Sequence, residues 1–315
     1  MTMNRSQFVA SAGAVTALGA FRPAAAAGTT IRLSTGAVEE FAQPYYAVQK
    51  GFFKDAGLTV ELSILPGGGL VTQAVIGGAL DAGVTNSGSM SSAHVRGLPI
   101  YWLFPGGVYS SASPIAHLVV AKNSPINNAA GLAGKVIGVT TLNDMVQATG
   151  MLWIDKHGGD SHASKWFEIK AAEMAAAIQV GRIDAAIVVE PTFSGAKDGF
   201  KVLGLPYEAV NNGKPFQTAG LIGNKTWVDA NPDLTRKLVA VIAHTADWAN
   251  HNPVEEVALL AQLTGVDPAA INSYPRVPYA TKFDPGLVQP VIDVMVRYGF
   301  LPKAFSATDM RAPGA

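Results

Sequence analysis

Gly78-Ala-Leu-Asp81-Ala and Gly181-Arg-Ile-Asp184-Ala are two copies of one pattern, 103 residues apart. In each copy an apolar segment with helical spacing ends at the glycine, the aspartate follows three residues later, and a short apolar strand comes next. A glycine just past the last helical residue takes the left-handed conformation that ends helices at little cost. The repeat therefore predicts two similar α/β lobes; the alternative is a chance likeness between two ordinary helix–strand units.

The repeat also makes the ends of the two strands comparable. Ser87 and Glu190 each lie nine residues after the glycine of their copy, so the two positions correspond. In open α/β sheets, ligands bind beyond the carboxyl ends of the strands. We therefore expect Asn86, Ser87 and Glu190 to lie at a site between the lobes.

Strand-like and helical segments alternate along most of the chain, which is typical of doubly wound α/β sheets flanked by helices. The first lobe is predicted to contain residues 28–115 and 219–315, and the second residues 116–218. The chain would cross between them near residues 113–117 and 216–220, an arrangement that suits a hinge.

The composition narrows the function classes. The chain has 315 residues, of which 49% are hydrophobic and 15% charged, and its formal net charge is zero. This balance provides no basic surface for nucleic acid. Cysteine does not occur in the chain, which excludes disulfides, thiolate metal sites and cysteine nucleophiles.

The first 27 residues have the pattern of an export signal. Arg5 precedes an apolar stretch over residues 8–21, and four alanines at 24–27 supply a small-residue cleavage site. The apolar stretch is too short for a permanent membrane anchor. Arg5-Ser6-Gln-Phe8 resembles a twin-arginine signal with serine in place of the second arginine, so both the Sec route and a degenerate twin-arginine route stay open. We expect a periplasmic protein.

Several segments together resemble one family. They are Pro44-Tyr-Tyr-Ala-Val-Gln-Lys-Gly-Phe-Phe-Lys-Asp-Ala-Gly-Leu-Thr-Val-Glu-Leu, both glycine–aspartate repeats, Leu132-Ala-Gly-Lys-Val-Ile-Gly-Val, Val188-Val-Glu-Pro191 and Asn231-Pro-Asp. In this order and spacing they resemble periplasmic substrate-binding proteins of nitrate/sulfonate/taurine ABC importers, a group similar to the thiamine-pyrimidine synthase family. The resemblance covers roughly residues 31–301.

The resemblance implies a type II periplasmic-binding-protein fold, in which two lobes close on a ligand in the cleft between them. It implies a small-molecule ligand, a membrane permease as partner, and a monomer that needs neither cofactor nor metal. The ligand stays open among sulfonates, nitrate, carboxylates and pyrimidines. The acidic candidates favour an organic molecule with polar and apolar parts over a bare inorganic anion.

Thr141, Asn143 and Asp144 follow a predicted strand and start a helix. Free N–H groups and the helix dipole attract anions at such a position, and the resemblance implies that small polar residues there receive a sulfonate or carboxylate. Asp144 departs from that pattern, because its carboxylate would compete with an anionic ligand. The alternative is that one of the three residues is simply an N-cap.

The remaining candidates each have a structural alternative. Glu190 would accept a hydrogen bond from a ligand amine or ring N–H, or form a salt bridge within the protein, since a buried carboxylate needs a partner. Asn86, Ser87 and Ser89 would bind a polar head group or serve as turn residues. The other candidates are Gln43 and Tyr45, where the resemblance implies ligand packing, and Gly68, where backbone would approach a ligand or belong to a flexible loop.

Catalysis has little support in the sequence. The chain contains neither a G-x-S-x-G nucleophile motif nor an H-E-x-x-H motif, and it lacks the cysteine-rich iron motif of the thiamine-pyrimidine synthase family. We therefore name no catalytic residue and predict that the chain is not an enzyme. The alternatives are a pyrimidine-precursor-forming enzyme and a sensor that reports its ligand to a membrane receptor.

Overall fold

The computed structural model of the protein describes residues 30–312. The predicted export signal therefore lies outside the described residues. The strands in this range are β1 (Ile31–Thr35), β2 (Val60–Ile64), β3 (Ala82–Asn86), β4 (Ile100–Pro105), β5 (Val108–Tyr109), β6 (Ala116–Ala121), β7 (Val136–Val139), β8 (Lys165–Glu168), β9 (Ala185–Val189), β10 (Phe200–Gly204), β11 (Phe216–Gln217) and β12 (Ala219–Asn224).

Helices alternate with these strands and cover the sheets. They are α1 (Gln43–Gln49), α2 (Phe52–Asp55), α3 (Gly68–Ile76), α4 (Ser87–Val95), α5 (Met145–Lys156), α6 (Ala171–Gln179), α7 (Thr192–Ala196), α8 (Lys225–Ala230), α9 (Pro232–His251), α10 (Pro253–Thr264), α11 (Pro268–Ile271) and α12 (Pro285–Arg297). Short 3-10 turns occur between them, one of which spans Glu39–Phe41. Within residues 30–312, none of the helices has both the length and the apolar character needed to cross a membrane.

The strands form two five-stranded sheets. The first has the order β2-β1-β3-β12-β4, and the second has the order β10-β6-β9-β7-β8. In the first sheet β1 is parallel to β2 and β3, and β12 is antiparallel to both of its neighbours. In the second sheet β7 is parallel to β8 and β9, and β6 is antiparallel to both of its neighbours. We call the two halves the first and the second lobe; the exact residues at their boundaries stay a prediction.

The repeat found in the sequence is a structural repeat. Gly78 and Gly181 both have left-handed backbones, with φ of 72° and 71°. Asp81 accepts a hydrogen bond from the backbone N–H of Arg32 in β1 at 2.7 Å, and Asp184 accepts one from Val136 in β7 at 2.9 Å. Each aspartate thus ties the start of its strand to the neighbouring parallel strand. The two lobes share this helix–strand unit, and both β3 and β9 point their carboxyl ends at the junction between the lobes.

The two passages of the chain between the lobes contact each other. β5 and β11 form a short antiparallel ladder in which Tyr109 pairs with Phe216. Behind the ladder the rings of Tyr109, Tyr207 and Phe216 pack together, with centroids 5.1–5.8 Å apart. These buried rings fix the position of the crossing strands relative to both lobes.

Three element boundaries differ from the sequence-based expectation. The spacing of apolar residues over 47–57 predicts one helix, but Gly51, with a φ of 77°, ends α1 before α2 begins. Gly68 and Gly69 belong to the first turn of α3 and not to a loop. The polar turn predicted at residues 85–89 is instead the end of β3 and the first turn of α4, because the Asn86 side chain caps that helix.

Candidate functional site

The two lobes meet at the N-termini of α4 and α5. Asn86 caps α4 by accepting a hydrogen bond from the backbone N–H of Ser89 at 2.7 Å, and Asp144 caps α5 by accepting one from Met145 at 2.5 Å. The two caps also bind each other, since Asn86 Nδ2 donates to Asp144 Oδ2 at 3.0 Å and Ser89 Oγ donates to the same oxygen. We call Asn86, Ser89 and Asp144 the latch.

The Asp144 carboxylate lies where two helix N-termini converge. The partial positive charge of both helix ends favours a negative group at this point. Asp144 is only 2% exposed, and burial raises the pKa of its carboxyl against the opposing effect of the Ser89, Asn86 and Met145 donors. A carboxyl group of the protein itself thus occupies the position where these helix ends would attract an external anion.

Gly88 allows the lobes to approach this closely. A Cβ atom at Gly88 would lie 2.2 Å from Asp144 Oδ1 and 2.7 Å from the backbone nitrogen of Met145. No side chain fits in that space, because real Cβ contacts are never that short. The structure is therefore a closed arrangement of the two lobes in which glycine is required at position 88.

The glycine-rich segment before α3 lies against the second lobe. A Cβ atom at Gly69 would be 3.2 Å from Thr141 Cγ2, whereas one at Gly68 would meet Thr85 and Asn86 of its own lobe at 2.7–3.2 Å. A surface groove of about 260 Å³ runs along this junction. Its lining includes four of the predicted residues, Ser89, Thr141, Asn143 and Asp144. Asn143 is exposed there, and its backbone N–H donates a hydrogen bond to Gln147 Oε1 at 2.7 Å.

Ser87 ties α4 to the crossing strand β11. Its hydroxyl donates to the backbone oxygen of Gln217 at 2.8 Å, and its backbone N–H donates to Thr218 at 2.8 Å. Since this hydroxyl is already bound, Ser87 positions the crossing strand next to the latch.

Glu190 accepts hydrogen bonds from Ser194, in the helix that directly follows it. It is 1% exposed, and its two oxygens accept hydrogen bonds from the backbone N–H of Ser194 at 3.1 Å and from the Ser194 hydroxyl at 3.0 Å. Burial raises the pKa of Glu190 to about 7 against these two hydrogen bonds. His117 Nδ1 lies 4.0 Å from the carboxylate, but burial lowers the pKa of His117 to about 4, so the ring is neutral at pH 7 and stacks on Phe193 at 3.8 Å. These contacts favour the structural alternative for Glu190.

Two glutamates that the sequence analysis missed lie at the end of β1. Glu39 Oε1 accepts a hydrogen bond from the backbone N–H of Val277 at 2.7 Å and lies 3.5 Å from Arg276 Nη1. Burial raises the pKa of Glu39, and the Arg276 guanidinium opposes this. Glu39 thus has a cationic partner within the first lobe.

Glu40 has no such partner. It is 5% exposed, and its Oε2 atom is buried without a hydrogen-bond partner among residues 30–312. Thr218 lies close by but donates its hydroxyl to the backbone oxygen of Gly107 at 3.0 Å. Burial raises the pKa of Glu40 to about 7, and the neighbouring Glu39 carboxylate adds to the shift.

Other buried polar atoms without a partner lie near Glu40. Within the described part of the chain they include the Tyr207 hydroxyl, Gln217 Oε1 and both amide atoms of Gln43. The Tyr207 ring packs against Phe216, the residue before Gln217, at 5.5 Å between centroids. Burial raises the pKa of Tyr207, and the Glu40 and Asp144 carboxylates add to this. Gln43 is three residues after Glu40 on a helical stretch, which places these two side chains on the same face. Gln217 directly precedes Thr218, the residue that lies close to Glu40. We call Glu40, Gln43, Tyr207 and Gln217 the polar chamber.

The structure therefore separates the predicted residues into groups. Asn86, Ser89 and Asp144 form the latch, Ser87 lies beside it, and Thr141 and Asn143 line the groove along it. Gly68 packs inside the first lobe, Glu190 binds Ser194, and the half-buried Tyr45 packs against the first lobe's apolar core. Only Gln43 falls in the polar chamber. Glu40 carried one signal in the sequence, its position just beyond the carboxyl end of β1.

Comparisons with known proteins agree with this architecture. A candidate binding protein of Brucella abortus (strain 2308) is 25% identical over 284 residues, which cover 86% of this chain and 82% of the relative. The alkanesulfonate-binding protein SsuA from Xanthomonas axonopodis pv. citri, bound to MOPS, superposes with a TM-score of 0.75 at 16% identity, over 90% of this chain and 98% of SsuA. The desulfurization enzyme DSZB superposes with a TM-score of 0.65 at 17% identity, over 90% of this chain and 96% of DSZB.

At such low identities the solved structures show the fold alone, and this fold carries both a binding protein and an enzyme. They confirm the predicted two-lobed periplasmic-binding-protein fold. A family model described as NMT1/THI5 like matches residues 39–256, which is more than half of the chain. The resemblance read from the sequence is thereby confirmed, and the chain belongs to the NMT1/THI5-like family.

Proposed function

We propose that the protein is the solute-binding component of an ABC importer, which captures a small organic molecule between its lobes outside the cytoplasm. One observation carries the proposal: buried polar atoms without partners lie beside the junction where the two lobes are latched together. Buried polar groups in folded proteins are nearly always hydrogen-bonded. A bound ligand would supply the missing partners.

In this proposal the latch and the ligand act together. Open and closed arrangements exchange, and a ligand shifts the equilibrium toward closure only through contacts that it makes in the closed arrangement. The latch adds hydrogen bonds from Asn86 and Ser89 to Asp144 that exist only when the lobes meet. The membrane permease would then recognise the closed surface.

The remaining expectations from the sequence belong to the same proposal. The chain would be exported by its first 27 residues and work as a monomer, with lobes formed by residues 28–115 plus 219–315 and by residues 116–218. The Brucella relative and SsuA, both named for binding, support a role in binding.

The likeness to DSZB raises the enzyme alternative. A cysteine-to-serine variant of that enzyme has been crystallised with biphenyl-2-sulfinic acid, whereas this chain contains no cysteine. No observation on the described residues specifically favours turnover, so we propose binding without chemistry.

The test is a search for bound and binding molecules. Mature protein from residue 28 onward is first measured by native mass spectrometry without stripping, and then unfolded, refolded and screened by thermal shift against amines, sulfonates, carboxylates and pyrimidines. A ligand at 100 times its Kd adds about 2.7 kcal/mol of stability, which moves the melting temperature by several degrees. A co-purified small molecule or a saturable shift supports the proposal. If the protein retains no small molecule and no compound of the panel shifts its melting temperature, the proposal is overturned.

A further inference from the structure

Most polar-chamber atoms that lack a hydrogen-bond partner are acceptors. When ionised, Glu40 can only accept through Oε2, and Gln217 has only Oε1 left, because its Nε2 already donates to the backbone oxygen of Ala219 at 2.7 Å. Gln43 offers one acceptor and one donor, and the Tyr207 hydroxyl can act either way. A molecule that satisfies this set must bring more N–H or O–H donors than acceptors.

The charges around the chamber also favour a ligand that donates hydrogen bonds or carries a positive charge. Within residues 30–312, no lysine or arginine forms an ion pair with Glu40 or Asp144. The nearest guanidinium, Arg276, lies beside Glu39, donates Nη2 to the backbone oxygen of Ile271 at 2.7 Å, and also faces the carboxylates of Glu190 and Glu256. Carboxylates therefore outnumber cations at the junction.

Glu40 is a buried carboxylate that lacks a cation. An ion of this kind is costly to bury unless an opposite charge and hydrogen bonds accompany it. In the ligand-free protein it can avoid the cost by taking up a proton. A ligand cation would let it ionise in place, whereas a ligand carboxylate or sulfonate would add a further negative charge beside Glu40 and Asp144.

We infer, resting on the proposed function, that the polar chamber binds the positively charged nitrogen group of a small organic ligand, such as an ammonium or amidinium, with Glu40 as its counter-ion. The latch agrees with this assignment. Its Asp144 carboxylate already occupies the helix N-termini that would otherwise receive an anion.

A matched pair of probes tests the ligand class. Benzamidine and benzoate share a ring and differ in the sign of their charge, and both are titrated calorimetrically into wild-type protein, Glu40→Gln and Glu61→Gln. Glu61 is an exposed carboxylate of the same lobe, so its variant controls for the change in net charge. In parallel, the molecule released from unstripped protein by denaturation is passed over cation- and anion-exchange resin.

We expect the released molecule to bind the cation exchanger, and benzamidine to bind wild-type protein in preference to benzoate. Glu40→Gln should weaken binding of the released molecule and of benzamidine by about tenfold or more, because a buried cation loses its counter-ion, while Glu61→Gln leaves both unchanged. Glu40→Gln should also melt at a higher temperature than wild type when ligand-free, since folding no longer requires this side chain to take up a proton or to bury a charge. That second readout shows that the variant folds.

The results that would overturn the inference are distinct from those that would overturn the proposed function. Release of an acid, or tighter binding of benzoate than of benzamidine, refutes a cation site and leaves solute binding intact. A lower melting temperature of ligand-free Glu40→Gln, with unchanged affinity for the released molecule, assigns Glu40 a structural role and also refutes the inference. If no molecule is released and no compound in the thermal-shift screen binds, the proposed function is refuted, and the inference is refuted with it.

Discussion

Asn86 donates a hydrogen bond to Asp144 at 3.0 Å, and each of these two side chains caps a helix in a different lobe. A single contact therefore links the N-terminus of α4 to the N-terminus of α5. Because both residues are buried, the contact forms only when the lobes are together. The contact between the lobes thus uses the same two side chains that cap these helices.

Replacing Asp144 with asparagine should weaken ligand binding. The amide keeps the capping oxygen for Met145 but presents N–H to the Asn86 donor, so the latch loses a charged acceptor. Hydrogen bonds to charged groups contribute about 1.5–3 kcal/mol, so we expect about a 10- to 100-fold rise in Kd, measured by calorimetry with the co-purified ligand.

Asp284→Asn is the matched control for this variant. Asp284 also caps a helix, α12, by accepting a hydrogen bond from Gly286 at 2.8 Å, but it is exposed there. Asparagine and aspartate cap helices about equally well, so Kd should not change. An equal loss in both variants would show that capping, and not the contact between the lobes, matters for binding.

Gly88→Ala should separate closure from folding. The added Cβ would overlap Asp144 Oδ1 at 2.2 Å in the closed arrangement, and overpacking of this kind typically costs 1–3 kcal/mol, or about tenfold in Kd. Alanine is also a better helix former than glycine, so the open, ligand-free protein should melt no lower than wild type. Gly199→Ala is the control, because its Cβ would meet only Gln179 Nε2, at 3.6 Å. Full ligand affinity in Gly88→Ala would contradict the observed closed arrangement.

The stability of the ligand-free protein should fall as the pH rises from 6.5 to 8. Glu40 and Glu190 have pKa values raised by burial to about 7, and that of Glu256 is raised to about 8, against 4.5 in the unfolded chain. In this range the folded protein therefore holds protons that the unfolded chain has lost, so its stability falls with rising pH for as long as those protons stay bound.

The chosen range avoids an opposing effect from His117. Burial lowers the pKa of His117 to about 4 from 6.5, so the folded protein binds fewer protons than the unfolded chain below pH 6.5 and loses stability there as the pH falls. Urea unfolding at intervals from pH 6.5 to 8 measures the slope. Glu40→Gln should make it shallower, and an identical slope in that variant would mean that Glu40 is ionised throughout.

Glu190→Gln should change Kd by less than about threefold, since both carboxylate oxygens already accept hydrogen bonds from Ser194. Ser194→Ala should instead lower the free energy of unfolding by about 1–3 kcal/mol, because a buried carboxylate loses a donor. Calorimetry and urea unfolding measure the two effects. A large loss of affinity in Glu190→Gln would restore this residue as a direct ligand contact.

Local sequence signals predicted most of the architecture. The two glycine–aspartate repeats predicted the helix ends and the strands that follow them, and in both copies the aspartate accepts a backbone hydrogen bond from the neighbouring parallel strand. The sequence also predicted that Asp144 would compete with an anionic ligand, because Asp144 directly precedes a helix.

Contacts between residues far apart in the sequence could not be predicted from local sequence patterns. Glu40 looks like an ordinary acidic residue near a helix start; it is buried because Gly107 and Thr218 pack against it, 67 and 178 residues further along the chain. The need for glycine at position 88 likewise depends on Asp144 in the other lobe. Tyr45 and Gln43 lie on the same short helix, and only the packing of that helix decides which of them faces the polar chamber.

The pairing of β5 with β11 has a mechanical consequence. Two strands joined by backbone hydrogen bonds bend across their plane more readily than they slide past each other, because sliding breaks the ladder. In the proposed binding role, the lobes would therefore move mainly by a change of angle at the crossing strands. Cargo would enter and leave along the edge farthest from that axis, and a permease could hold the protein unloaded by gripping the two lobes at that edge alone.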